Sequence, residues 1–309
     1  MSKQINHISN QSVLIAPLDW GIGHTTRCYS IVRDLLINDN TVVFAGDEKQ
    51  RGWMKREFPA IQTVHLEGYQ ITLDSRKNTY VQLLSQFQKM KRAIRSEKKW
   101  VKNYCQENKV DLIISDNRYG FHHEKIKSII LTHQLNLQIP FGGALVNRKL
   151  KNWLEKFDQV WVPDFADHQL TGLLSKRNLD IPIDFIGPLN RFPAYPIEKN
   201  HDYLVILSGP EPERSHFLNR MMEKAKVSDL DWAFVGVELN EYPSFINPST
   251  NELAELMAKS ETIISRAGYT TLMELTQLKK KAILYPTKGQ YEQEYLSGRL
   301  YEGVKFKTL

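Results

Sequence analysis

Short, continuously apolar runs alternate with longer amphipathic runs along almost the whole chain, and this alternation leaves few folds open. Runs 13–16, 41–45, 63–66, 112–115, 128–132 and 159–162 read as strands, several of them apolar on both faces. Between them, 25–37, 81–108 and 148–157 read as helices, with apolar residues recurring at the spacing of one helical face. A strand apolar on both faces must be covered on both, and helices placed between strands are what covers a parallel sheet. The expectation is an α/β chain built from doubly wound, Rossmann-like parallel sheets.

The pattern breaks once. Residues 181–196 hold four prolines (Pro182, Pro188, Pro193 and Pro196), and 198–202 are polar, which together mark a domain boundary. The alternation then resumes, with strands at 203–207, 232–235, 262–265 and 282–285 and helices at 213–226, 251–259 and 270–277. The expected division is a first domain at 1–187, a Pro-rich linker at 188–202 and a shorter second domain at 203–309. Two such domains place ligands in a cleft between them, at the carboxyl ends of the strands. The length of 309 residues agrees, being more than one core usually holds.

Composition removes several classes of function. No apolar run approaches the roughly 18 residues of a membrane span, and the first eleven residues are polar, so a cytoplasmic location is expected. Cys28 and Cys105 are the only cysteines, too few for a disulfide framework or a cysteine-cluster metal site. A net charge of +6 favours a polyanionic partner, such as nucleotide phosphates or anionic lipid headgroups. Zinc-finger spacing and RNA-recognition signatures are both missing, so a nucleic-acid partner is not expected.

Three segments hold residues suited to chemistry. The first strand ends in Pro17-Leu18-Asp19-Trp20-Gly21-Ile22-Gly23-His24, and a helix is expected from about Thr25. Gly21 and Gly23 permit a tight turn, Thr25 or Thr26 can cap the helix, and His24 falls at the mouth of the cleft. A plain strand-to-helix turn with a surface histidine fits these residues equally well. In Ser265-Arg266-Ala267-Gly268-Tyr269-Thr270-Thr271-Leu272-Met273-Glu274, a strand runs through a glycine into a helix. Backbone N–H groups and the Thr270 and Thr271 hydroxyls of its first turn suit a diphosphate. Glu274 lies six residues past Gly268, roughly 9 Å along a helix at about 1.5 Å per residue, a reach that takes it to ribose hydroxyls. The bland alternative is that Glu274 complements the helix dipole, worth under about 1 kcal/mol. The third segment, Tyr285-Pro286-Thr287-Lys288-Gly289-Gln290-Tyr291-Glu292-Gln293-Glu294, offers amides and carboxylates to sugar hydroxyls, or is simply a polar helix start.

Taken together, these segments resemble the family 28 glycosyltransferases of the GT-B fold, the type that includes the peptidoglycan N-acetylglucosaminyltransferase. The resemblance covers most of the chain as topology and is specific at four or five places, so a divergent member is implied. It implies a transferase that uses a nucleotide-sugar, with UDP as the expected carrier. By resemblance, Ser265-Arg266-x-Gly268 is the donor motif, with Gly268, Tyr269, Thr270 and Thr271 on the diphosphate, Glu274 on the ribose and Gln293 on the donor sugar. Gly21-Ile22-Gly23-His24 is similar to the family's N-terminal glycine loop, whose histidine faces the acceptor. Thr132-His133-Gln134-Leu135-Asn136 resembles the post-strand motif, which puts His133, Gln134 and Asn136 on the acceptor side. Gly187-Pro188-Leu189-Asn190-Arg191 resembles the interdomain turn, with Arg191 near the donor phosphates, and Phe245-Ile246 stand where members pack on the nucleobase.

The chain also departs from the family pattern. The turn that is Gly-Gly-Ser in the family is Leu207-Ser208-Gly209-Pro210-Glu211 here, which keeps Ser208 and Gly209 for phosphate contact beside a proline and a carboxylate. A second glutamine expected after Gln293 is Glu294, which bears on the identity of the sugar.

An inverting transfer needs a base for the acceptor hydroxyl and positive charge for the departing diphosphate. His24 is the first candidate base because imidazole titrates near neutrality, with Asp116 second and Asp19 third. No metal or other cofactor is expected. The run 86–102 has seven basic residues (Lys89, Lys91, Arg92, Arg95, Lys98, Lys99 and Lys102) against one acid, Glu97, with Phe87, Met90, Ile94 and Val101 on one face. Such a helix lies on an anionic membrane as a peripheral protein at its inner face, or is a solvated face over a core. His122 and His123 are expected to be exposed on a loop. Two other functions suit the same fold: a nucleotide-sugar epimerase using Asp116, Glu211 and Glu294, and a non-catalytic sugar-nucleotide or polyanion-binding protein.

Overall fold

The computed structural model describes residues 5–71, 86–139, 142–193, 200–209 and 211–308. It divides into two compact units, Met1–Leu189 and Asn190–Leu309. Residues 81–85 of the expected helix, residues 194–199 of the expected linker and Pro210 of the 207–211 turn lie outside the described residues.

The first unit runs β1 (Ser12–Pro17), α1 (Ile22–Ile37), β2 (Thr41–Gly46), α2 (Glu48–Glu57), β3 (Gln62–His65), α3 (Phe87–Glu107), β4 (Leu112–Asp116), β5 (Lys127–Leu131), α4 (Gly143–Leu154), β6 (Gln159–Val162) and β7 (Ile183–Phe185). Its sheet has the order β3-β2-β1-β4-β5-β6-β7 with parallel pairing throughout. The order reverses between β1 and β4, so the loops leaving those two strands flank the switch point where ligands bind such sheets. Val13 through Pro17 and all of β4 are buried, which is why these strands carry no polar face. Leu14, Ala16, Ala45, Val101, Ile113 and Phe121 form one core beneath α3, and each large aliphatic side chain among them contributes about 1.5–3 kcal/mol on burial.

The second unit runs β8 (His201–Ile206), α5 (Glu213–Lys226), β9 (Trp232–Val235), β10 (Ser244–Phe245), α6 (Thr250–Ala258), β11 (Ser260–Arg266), α7 (Tyr269–Gln277), β12 (Lys281–Tyr285), α8 (Tyr291–Ser297) and β13 (Val304–Phe306). The strand order is β10-β9-β8-β11-β12-β13, again parallel, with the reversal between β8 and β11. Val205, Phe217, Met221, Trp232, Phe234 and Ile264 fill the core between α5 and the sheet. Two parallel sheets of seven and six strands with helices between the strands are the expected α/β architecture.

Local departures have physical causes. Helix α1 begins at Ile22, not Thr25: Gly21 is its N-cap at φ 97°, a conformation L side chains rarely adopt, so no threonine caps it. Thr25 and Thr26 instead sit buried inside the helix, and the Thr26 hydroxyl donates back to the Gly23 carbonyl at 3.2 Å. The Pro-rich stretch contributes β7, a three-residue edge strand held by β6, so it belongs partly to the first sheet. Strand β8 opens at His201, inside the stretch expected as linker. His122 is not exposed: it is 7% accessible, with its ring edge-on to Phe157 at 5.2 Å.

Candidate active site

In the first unit the start of α1, the end of β4 and the loop after β5 bring four side chains together. The Leu18 amide donates to the Asp116 carbonyl at 2.9 Å, and the Gly21 amide closes a tight turn on the Asp19 carbonyl at 2.9 Å. This turn sets His24 on the first turn of α1, with Nδ1 3.1 Å from Asp116 Oδ2. Asp116 has no solvent exposure and the His24 side chain keeps 18%. One turn along α1, Arg27 is 2% exposed and grips the Asp116 carboxylate with both Nε, at 3.2 Å, and Nη2. Its Nη2 also lies 2.8 Å from His24 Nδ1, and its Nη1 lies 3.2 Å from Nδ1 of His133. Burial pushes the Asp116 carboxyl up, but Arg27 and then His24 outweigh it and hold the group below its ordinary value. Asp116 is therefore an anion at neutral pH, with the Cys28 thiol as a further neighbour 3.9 Å from Oδ2.

Of the three candidate bases, the structure pairs His24 with Asp116 and gives Asp19 another occupation. Asp19 Oδ1 accepts from the Tyr69 amide at 3.0 Å and Oδ2 from the Gln70 amide at 3.2 Å. A Cβ on Gly68 would fall 2.2 Å from Asp19 Oδ2, so glycine is what lets that loop close on the carboxylate. Loop 133–136 continues from β5: the Gln134 amide donates to the Thr132 hydroxyl at 3.1 Å, and the Leu135 and Asn136 amides donate to the Leu174 carbonyl at 2.7 and 2.8 Å. His133 is buried and belongs to the Arg27 cluster, while Gln134 and Asn136 are half-buried beside it in sequence. Arg27 gave no signal in the sequence, where an arginine on an amphipathic helix looks like part of a solvated face.

In the second unit, the Gly268 cap opens α7 and has no side chain to satisfy the first amides itself. Tyr269 is buried, and Thr270 and Thr271 are half-buried in the first turn. Glu274 is 6% exposed, and Arg191 Nε donates to its Oε1 at 3.0 Å. Burial raises the Glu274 carboxyl, and Arg191 offsets only part of that rise. The Arg191 guanidinium also lies over the Phe192 ring, 4.5 Å from its centre. Arg266 is buried, donating to the Thr287 hydroxyl and, at 3.4 Å, to the Glu213 carbonyl, so it ties the 287 turn to α5. Gln293 Oε1 accepts from the Thr287 amide at 2.8 Å and Glu294 Oε1 from the Gly289 amide at 2.7 Å, so both cap that turn. Ser208 is half-buried, and Gly209 is exposed at φ 93° in the loop after β8. Phe245 ends β10, and Ile246 is 55% exposed beside a groove of about 760 Å³ that Pro248, Glu252 and Leu256 also line.

The basic run on α3 is two-sided. Met90 and Val101 are buried, while Lys89, Arg92, Arg95, Lys98, Lys99 and Lys102 are exposed. Its one acid, Glu97, is buried: it takes Arg118 Nε on Oε1, and on Oε2 the Tyr69 hydroxyl and the Gly120 amide, both at 2.8 Å. Among the described residues, no three His, Cys, Asp or Glu side chains group as a metal site, and no helix is long and apolar enough to cross a membrane.

The model of the glycosyltransferase family 28 C-terminal domain matches residues 232–297, which include α7 and all of α8. Two proteins of Methanosarcina acetivorans, each described as an uncharacterized glycosyltransferase, are 23% identical over 89% of this chain, which covers 77% and 79% of their lengths. Among solved structures, Arabidopsis thaliana UGT89C1 complexed with UDP-L-rhamnose is similar at a TM-score of 0.64 and 14% identity, over 97% of this chain and 86% of that one. The spinosyn forosaminyltransferase SpnP is similar at a TM-score of 0.60 and 14% identity, over 97% of this chain and 86% of that one.

Proposed function

We propose that this chain, a divergent family 28-like glycosyltransferase of the GT-B fold, is an inverting, metal-independent enzyme that moves a hexose or N-acetylhexosamine from a UDP-sugar to a hydroxyl acceptor. The observation that carries the reading is the His24–Asp116 pair at the switch point of the first sheet. With a proton on Nδ1 donated to Asp116, His24 has Nε2 open to take the acceptor's proton as the hydroxyl attacks the anomeric carbon. Asp116, ionised throughout, stabilises the imidazolium that results. The bond from the anomeric carbon to the leaving diphosphate breaks as the new one forms, on the face opposite the attack. The first turn of α7 and Arg191 supply the amides and charge for the departing phosphates, and Glu274 receives the ribose hydroxyls. Phe245 and Ile246 offer the groove for the nucleobase, and Ser208, Gly209, Gln293 and Glu294 complete the donor side.

UDP-L-rhamnose in the UGT89C1 structure supports a nucleoside diphosphate sugar as donor. The exposed lysines and arginines of α3 support an acceptor presented on an anionic surface, as a lipid-linked or envelope glycan would be, with the protein peripheral on the cytoplasmic face. Binding of nucleoside diphosphate sugars, measured with EDTA present on wild type, Glu274→Ala and His24→Ala, tests the reading. The expected result is that one donor binds, that Glu274→Ala weakens it, and that His24→Ala keeps its affinity while losing turnover by roughly 10²–10⁴-fold. Equal turnover in His24→Ala retires it as base, and no binding to any donor retires the reading.

A further inference from the structure

We propose that Arg27 is a positioning residue of the proposed transfer: one guanidinium locks Asp116 against His24 and, through Nδ1 of His133, makes His133 a hydrogen-bond donor at Nε2. The inference rests on the reading of His24 as base only for its effect on turnover. Three observations carry it. Arg27 is 2% exposed, so its contacts are not averaged by solvent. It meets Asp116 as a fork, Nε on Oδ2 at 3.2 Å and Nη2 on Oδ1, which fixes the plane of the carboxylate that His24 shares. Its Nη1 stands 3.2 Å from His133 Nδ1.

The chemistry follows from what a guanidinium can do. It has five N–H donors and no acceptor, and it does not lose its proton. Nδ1 of a neutral His133 facing it must therefore accept, which leaves the ring proton on Nε2. A histidine held that way cannot serve as a base at Nδ1; it is a hydrogen-bond donor at Nε2. The same guanidinium keeps Asp116 ionised and stationary between α1 and β4. Nη2 also lies 2.8 Å from Nδ1 of His24, but that nitrogen faces the Asp116 carboxylate as well, at 3.1 Å, and Nη2 donates to Oδ1 of the same group. The reading of His24 as base directs its Nδ1 proton to Asp116, so the two histidines take opposite parts. His24 accepts the proton and His133 donates a hydrogen bond. A lysine at this position has the charge but no fork, and reaches one partner at a time.

Two readouts on the full chain test this. Long-range ¹H–¹⁵N spectra of the imidazoles report which nitrogen of His133 bears the proton, and steady-state kinetics with the UDP-sugar separate kcat from KM. In wild type, His133 should show a protonated Nε2 and an unprotonated Nδ1. In Arg27→Met that preference should be lost, with kcat down by about 10²-fold, as misplaced catalytic groups give, and donor KM within about 3-fold. Arg27→Lys should fold like wild type, recover only part of kcat and still lose the His133 preference. If Arg27→Met does not fold, Arg27→Lys decides on both readouts. A wild-type-like His133 spectrum in the variant overturns the inference whatever the rate does. A lost preference with unchanged kcat overturns the positioning role, and His24→Ala then shows separately whether His24 is the base.

Discussion

Acid should destabilise the first unit through a residue outside the proposed chemistry. His122 is 7% exposed, packed edge-on against Phe157 at 5.2 Å. Burial pushes its pKa down from 6.5 to about 4, helped by the Lys98 and Lys156 ammonium groups and partly opposed by Glu124 and Asp158. Above pH 6.5 the imidazole is neutral in native and unfolded chains alike, and it contributes no pH dependence. As pH falls below that value the unfolded chain takes up a proton that the native chain refuses until about pH 4. Stability is therefore lost progressively across that window and stays lost below it. A gap of about 2.5 units at roughly 1.4 kcal/mol each gives a loss of about 3 kcal/mol. For a unit of this size that is roughly 6–12 °C in Tm. Urea unfolding at pH 7, 6, 5 and 4, followed by far-ultraviolet circular dichroism, should show this loss in wild type. In His122→Phe, which keeps a ring against Phe157 and cannot titrate, the loss should be smaller by about that amount, since other groups titrate equally in both. Parallel losses in the two proteins would falsify the assignment of the window to His122.

Replacing Glu97 by Ala leaves Arg118 buried without its counter-ion and should cost about 3–5 kcal/mol in chemical denaturation; a loss below about 1 kcal/mol refutes the pairing as a structural anchor of α3. Gly120→Ala puts a Cβ 2.2 Å from the Ile94 carbonyl oxygen and 2.8 Å from Glu97 Oε2. It should cost roughly 3 kcal/mol by overpacking, and an unchanged Tm refutes the close approach of α3 to that loop. Asp116→Asn should lower turnover by about 10²–10⁴-fold with donor affinity retained, and turnover like wild type refutes the His24–Asp116 pair as the acting unit.

The architecture was legible because burial on both faces leaves a plain trace. Strands Gln159–Val162 and Trp232–Val235 and helix Glu213–Lys226 stand where the apolar runs place them. The edges were not legible. Strands β7, β10 and β13 have two or three residues each, too few for any period, and exist because a parallel neighbour holds them. In the site, the residue types suited to the chemistry stood out, but their partnerships did not. His24 and Asp116 look like rival bases when read along the chain, and only the β1–β4 pairing brings residues 92 positions apart to 3.1 Å. Arg27 and Glu97 were hidden for one reason: a charged residue on a helix reads as solvated until its buried partner, in another element, is known.

The two units each bury a carboxylate against an arginine, and the outcomes are opposite in sign. Asp116 receives a two-pronged guanidinium and His24 besides, so burial is outweighed and the group lies below its ordinary value. Its ionisation stabilises the fold at neutral pH, and that contribution is lost as acid protonates it. Glu274 receives a single Nε contact from Arg191 at 3.0 Å, burial prevails, and its carboxyl is raised. Between the ordinary carboxylate range and this raised value the native chain holds a proton that the unfolded chain has lost, so stability falls as pH climbs through that interval. Ionised Glu274 therefore opposes folding at neutral pH, and a residue that does so is best explained by what it binds. Glu274→Gln keeps the shape and an oxygen for Arg191 while removing the charge. It should raise Tm at pH 7, match wild type near pH 4 and weaken donor binding, a gain in stability coupled to a loss of function. A lower Tm at pH 7 would mean that the Arg191 pair stabilises the fold outright, and Glu274 would then need no ligand to account for it.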